Sequence, residues 1–367
     1  MALPQWPRSG PTFRCRRPCW KPPLDRTCRQ SKLPHNSGRA SRAPIPRRMD
    51  HTMTVPETIT EKRRPAGLVA RLEGRLGESG VLLLFLAPAL LVVAVAQFYP
   101  LASSAVLSFF DWSLSRSPRV GPFIGFDNYA RTFNDPIFSG AVTYTIIFAI
   151  SSTLLQLVCG LGIALLTVGE SYTLRLVRTL LMLPMVIAPI AVGTIWRMIL
   201  AARVGPLNQG LASIGIDGPN WLGDPMWASF SLIMIDAWEW TPFVAITLTA
   251  ALTSIPNDLT LAASVDGAGR WKTFRYVVFP MILPVLVLVA MFRMIEAFLT
   301  LDIVFTTTAG GPGYATHTLS FWIYQQGLRY FNISYAAATS WIMLLACLAM
   351  ALGFLAWRRH VSKWQVS

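Results

Sequence analysis

Asp236, Trp240, Phe243 and Thr247 follow one another at intervals of four, three and four residues, the spacing that gathers side chains on one face of an α-helix. Ionised groups in an apolar stretch are costly unless they face protein or water, which makes this face a candidate solute path. A carboxylate accepts hydrogen bonds from hydroxyls and aromatic rings stack on C–H faces, so the set suits a polyhydroxylated ligand. The competing reading puts Asp236 and Glu239 near a membrane interface, meeting headgroups or water, where Trp is also enriched. Arg293 and Glu296, three apart, can pair along one helical face and are read first as a structural ion pair.

A second cluster occupies residues 254–284. Ser254 can cap a short helix opened by Pro256, with Asp258 in the first turn, where the helix dipole favours an acid. Ala262 and Ala263 give that helix a small-residue face. Asp266 and Gly267 end it, because Gly reaches backbone angles that a Cβ resists, and residues from Ala268 and Arg270 to Phe274 lead into the next apolar stretch. Pro280 and Pro284 soften the start of that stretch.

The elements that must hold these residues are membrane-spanning. Of 367 residues, 53% are hydrophobic and 14% charged, and the mean hydropathy of +0.47 lies outside the range of soluble domains. A crossing helix needs about 20 mostly apolar residues. Six segments qualify, near Val81–Leu101, Ala141–Val168, Leu176–Leu200, Trp227–Leu252, Val277–Phe298 and Ala336–Ala356. The net charge of +14 is not spread as a nucleic-acid-binding surface would be: most Lys and Arg lie before Leu82, and the remainder is nearly balanced. Basic residues at both ends and at Arg270, Lys272 and Arg275 place these regions and both termini in the cytoplasm, and the even number of spans agrees.

Residues 1–65 are rich in Pro, Arg and Ser, lack apolar periodicity and are read as a disordered extension. Met49 and Met53 are candidate alternative starts. Cys15, Cys19 and Cys28 near His35 match no common zinc spacing, and Cys159 and Cys347 lie in apolar spans as small hydrophobes. Leu68, Leu72 and Leu76 mark residues 66–80 as an amphipathic interfacial helix. Residues 81–357 form the membrane domain and 358–367 a tail. Gly310-Gly311-Pro312-Gly313 reads as a tight external turn, compatible with a loop that meets a partner.

The segment from Ser254 to Pro284 resembles the EAA loop of the permeases of binding-protein-dependent ABC importers. Asp266-Gly267-Ala268 followed by Pro280 and Pro284 matches its pattern. Leu207-Asn208-Gln209, Trp221-Leu222-Gly223-Asp224-Pro225, Trp238 with Pro242, and Gly310 to Gly313 look like the carbohydrate-importer branch, which includes the maltose permease. One position departs: the glutamate that names the motif is Leu261. The resemblance implies an all-α fold with six spans of the type I importer topology, in a bacterial or archaeal cytoplasmic membrane. It implies that Leu261, Ala262, Ala263, Asp266, Gly267, Ala268 and Arg270 belong to a coupling helix seated in a cytoplasmic ATPase. It further implies that the fourth and fifth spans line a solute path with Asp236, Trp240, Phe243 and Thr300. The chain has no G-x-x-x-x-G-K-[ST] phosphate loop, so ATP and Mg are expected on a partner ATPase and no cofactor on this chain. The implied assembly has a second homologous permease, two ATPase copies, an extracytoplasmic solute-binding protein and a sugar or polyol cargo. A secondary carrier lacks support from any internal repeat or dense polar cluster. An intramembrane enzyme lacks a site, since His51, His317 and His360 fall in predicted loops or tails.

Overall fold

The computed structural model describes residues 83–169 and 171–363. The expectations for residues 1–65, for the amphipathic helix at 66–80 and for Cys15, Cys19 and Cys28 lie outside the described residues. Among those described the architecture is all-α, and the one β-type contact is an isolated bridge between Phe110 and Phe123.

The helices are α1 Leu83–Leu107, α2 Asp127–Phe133, α3 Pro136–Thr167, α4 Tyr172–Leu181, α5 Leu183–Val186, α6 Pro189–Ile199 and α7 Pro206–Ser213. They continue as α8 Pro225–Thr253, α9 Asn257–Val265, α10 Arg270–Thr273, α11 Phe279–Phe298, α12 Asp302–Thr307, α13 Leu319–Tyr324 and α14 Ile333–Lys363. A π-helical turn, Phe274–Val278, joins α10 to α11. Helices α3 and α8 start alike. Asp135 accepts from the Ile137 amide at 2.9 Å, and Asp224 from those of Met226 and Trp227 at 3.0 and 3.2 Å, each with a proline at the first helical position. Such a carboxylate satisfies orphan amides where proline has none to lose. Because of its cap, α3 begins at Pro136, ahead of the hydropathic stretch expected from Ala141.

Among the described residues, four stretches are long and apolar enough to cross a membrane: Leu83–Leu107, Pro136–Thr167, Arg270–Thr307 and Ile333–Arg358. Helix α8 passes the same test when taken with α9, which is bent from it by 69°, and is the fifth such element. The segment expected as one span at Leu176–Leu200 is instead divided into α4, α5 and α6. Proline biases the preceding residue toward extended backbone, and Ala188, ahead of Pro189, has φ −62° and ψ 134°.

The core is built by α3 against α8, with α11 packed on both. Phe148, Leu232, Ile235, Ala297 and Phe298 belong to one buried cluster, and Ala164, Val244, Leu248, Ile282 and Val289 to a second. Gly160 lets the helices approach: a Cβ there would stand 2.6 Å from Val244 Cγ1 and 3.2 Å from the Ala245 amide nitrogen. The outward faces stay apolar, with Leu91, Leu154, Leu166 and Leu345 exposed, as helices surrounded by hydrocarbon require.

Candidate functional site

Two turns and one turn before Gly160, the close α3–α8 contact brings two polar α3 side chains, Ser152 and Gln156, to Asp236 on α8. The Ser152 hydroxyl donates to Asp236 Oδ2, and Gln156 Nε2 donates to the same oxygen at 2.7 Å and to the Asp236 carbonyl at 3.2 Å. Arg293 on α11 completes the group. Its Nε donates to Gln156 Oε1 at 2.7 Å, its Nη2 lies 3.4 Å from both Asp236 carboxylate oxygens, and its Cζ sits 4.3 Å from the Trp240 ring centroid. Asp236 and Arg293 are each 1% exposed. Three helices are thus joined by a buried ion pair whose remaining bonding capacity is largely used, the condition under which such a pair is tolerated in an apolar interior. One nitrogen is left over: Arg293 Nη1 has no hydrogen-bond partner among the described residues.

Two sequence readings need correction. Arg293 pairs with Asp236, not with Glu296; among the described residues the ion pairs are Arg293–Asp236 and the exposed Arg116–Asp111. Glu296, three positions from Arg293, is only half-buried, whereas Asp236 is fully desolvated and needs a cation more. The alternative that Asp236 and Glu239 meet headgroups or water fails as well, since both are 1% exposed.

Beside the ion pair lies a cavity of about 320 Å³. Asp236, Trp240, Arg293, Glu296, Thr300 and Asp302 line it, and Pro189 at the start of α6 contributes to its wall. It therefore adjoins two interruptions of helix, the one preceding α6 and the one between α11 and α12. The structure brings Asp236, Trp240 and Thr300 together in the wall of this cavity. Phe243 and Thr247 are not in the wall. Phe243 packs on Phe292 and Trp240 with ring centroids 5.3 and 6.3 Å apart, and the Thr247 hydroxyl donates to the Phe243 carbonyl at 2.8 Å. Ser152, Gln156 and Asp302 were not anticipated. The signal for the first two is Ser151-Ser152-Thr153 and Gln156 inside an otherwise apolar span. A larger cavity, about 410 Å³, is lined by Leu101, Trp341, Met343 and Leu344 among others and holds no carboxylate or cation.

The second cluster stands apart from this site. Helix α9 has no buried residue, and Leu261 and Val265 are 60% and 86% exposed. Ala262 and Asp266 are exposed and Ala263 half-buried. Asp266 is the C-cap of α9; the Gly267 amide donates to the Ser264 carbonyl at 3.1 Å and the Ala268 amide to that of Ala263 at 2.9 Å. This is a Schellman closure, which needs a left-handed residue, and Gly267 has φ +75° with no atom within 4 Å of an added Cβ. The glycine is required by backbone angle, not by crowding among the described residues. Arg270 is the first residue of α10, Pro280 lies in the first turn of α11, and Pro284 stands inside it. The capping expectation at Ser254 is corrected. Ser254 ends α8 and donates to the Ala251 carbonyl at 2.7 Å, while Pro256 occupies the N-cap position of α9.

Residues 156–365 match the model of the binding-protein-dependent transport system inner membrane component family. The chain belongs to this family and is a multi-pass membrane permease subunit of an ABC transporter. A probable ABC transporter permease protein of Sinorhizobium fredii is 33% identical over 82% of this chain and 95% of its own length. The sulfoquinovosyl glycerol transport system permease protein of Agrobacterium fabrum is 33% identical over 73% of this chain and 87% of its own. The trehalose/maltose transport system permease protein of Thermococcus litoralis is 32% identical over 69% and 84%. A chain in the crystal structure of a bacterial alginate ABC transporter, in complex with an alginate pentasaccharide-bound periplasmic protein, shares the fold. Its TM-score is 0.69 at 22% identity, over 80% of this chain and 99% of that one.

Proposed function

We propose that this permease carries a sugar or related polyhydroxylated solute through the α8–α11 cavity by alternating access, driven by a separate ATPase. The cavity carries the reading. Membrane-buried Asp236 and Arg293, the Trp240 ring and Thr300 converge on a space of about 320 Å³, which combines hydrogen-bonding groups with an aromatic face as a hydroxylated solute requires. The sugar-transport names of similar permeases support the same class of cargo.

The exposed α9 helix, with its Gly267 closure, is the segment that docks on the ATPase, and ATP and Mg are held there rather than on this chain. A second permease completes the pathway, two ATPase copies drive it, and an extracytoplasmic solute-binding protein delivers the cargo. With the broken α4–α6 segment as a further crossing beside the five above, both termini are cytoplasmic, in keeping with the basic residues at each end. In operation, ATP binding draws the ATPases together, α9 follows, and the attached α8 and α11 shift around the cavity.

Reconstitution tests this. Proteoliposomes holding the chain with its partner permease and ATPase should accumulate a labelled sugar only when ATP and the loaded binding protein are both supplied. Accumulation driven by an ion gradient without ATP would instead establish a secondary carrier.

A further inference from the structure

We infer that this chain's side of the pathway rejects anionic solutes and accepts neutral or aminated sugars, an inference that rests on the solute-path reading above. The cavity wall carries three carboxylates, Asp236, Glu296 and Asp302, against one guanidinium, Arg293. Asp236 is consumed by Ser152, Gln156 and Arg293. Glu296 and Asp302 are half-buried and have neither an ion-pair partner nor a side-chain hydrogen bond among the described residues. Two carboxylates without a direct ion-pair or hydrogen-bond partner therefore face the space. Arg197 does not offset them: it is exposed, reaches the Thr306 carbonyl at 3.4 Å and forms no part of the wall.

Hydrogen-bonding capacity points the same way. Arg293 Nη1 is a buried donor without an acceptor, while Glu296 and Asp302 are acceptors without donors. A sugar hydroxyl both donates and accepts, so neighbouring hydroxyls of one ring can satisfy both kinds of group. An ammonium group donates to the two carboxylates. A carboxylate, sulfonate or phosphate ester only accepts, and can answer Nη1 only while facing two like charges at low effective dielectric.

Ligand-observed saturation-transfer NMR on the complete membrane complex in nanodiscs, without binding protein, tests this with glucose, glucosamine and glucuronate as probes. Glucose and glucosamine should bind, and glucuronate roughly tenfold more weakly, as expected for like charges a few ångströms apart in a partly wet site. The Glu296→Gln/Asp302→Asn double variant, and each single variant as a folding control, should narrow the glucose-to-glucuronate gap. Glucuronate binding as tightly as glucose in the wild type, with signals that Trp240→Ala abolishes, would overturn the charge inference while leaving the solute path standing. Signals that survive Trp240→Ala, or no binding by any probe, would overturn the solute-path reading and the inference with it.

Discussion

Arg293 Nη2 lies 3.4 Å from Asp236 in a setting where both side chains are 1% exposed. The two residues come from α11 and α8, and Gln156 of α3 bonds to both. The pair is therefore a three-helix joint as well as part of a cavity wall. Removing one partner strands a buried charge, at a cost of about 3–5 kcal/mol. Arg293→Ala and Asp236→Ala should each lower the thermal unfolding midpoint of the purified complex. Arg293→Gln/Asp236→Asn should recover much of the loss, since two neutral polar groups replace the stranded ion. Equal destabilisation by singles and double would show that the two residues are not coupled.

Trp240 and Phe243 were expected to act alike but differ in position. Trp240 is in the wall and under the Arg293 guanidinium, whereas Phe243 packs on Phe292 outside it. Trp240→Ala should reduce uptake in proteoliposomes by roughly 5- to 30-fold, on the scale of a lost cation–π and stacking contact of about 1–2 kcal/mol. Phe243→Leu and Thr247→Val should retain most transport. Comparable losses in all three would mean that helix packing, not solute contact, controls the rate.

Gly267 takes φ +75° with open space around its Cα. Gly267→Val should cost about 1–2 kcal/mol in backbone strain, too little to prevent membrane insertion, but enough to displace the end of α9. The expected result is normal abundance with ATPase activity that no longer responds to loaded binding protein. Gly267→Asn, which tolerates this angle better, should keep partial coupling. Full coupling in the Val variant would remove the reason for assigning α9 to the ATPase.

His317, between α12 and α13, is 3% exposed, packs against Tyr314 and Phe321 and leaves Nδ1 unpartnered. Burial lowers its pKa from 6.5 to about 4. The unfolded chain therefore binds more protons between these values, so stability is present above pH 6.5 and falls as the pH drops toward 4. His317→Gln should flatten thermal stability measured across this window. An unchanged slope would place the acid sensitivity elsewhere.

Helical spacing made the Asp236–Trp240 face legible, because residues four apart share a face whatever surrounds them. The partners of that face were not legible in the same way. Gln156 and Arg293 reach Asp236 across 80 and 57 positions of sequence, and no local rule specifies which polar residue of one span meets which of another. Local spacing favoured Glu296 for Arg293, but desolvation of Asp236 outweighs a three-residue offset on one helix. Asp266-Gly267 was readable because a helix stop with a left-handed residue is a backbone matter. Hydropathy ran Leu176 to Leu200 together, since a window average does not register Pro184 and Pro189.

Access to Thr300 tests most directly whether the cavity carries solute. With the chain's five cysteines replaced and Thr300→Cys introduced, alkylation by a small membrane-impermeant thiol reagent is timed in the reconstituted transporter. The rate is measured with and without a sugar that the transporter has been shown to accumulate. If solute passes beside Asp236, Trp240 and Thr300, saturating cargo delivered by the binding protein with a non-hydrolysable ATP analogue should slow labelling several-fold. A labelling rate that the transported sugar leaves unchanged, with the cysteine accessible in both states, would contradict the account.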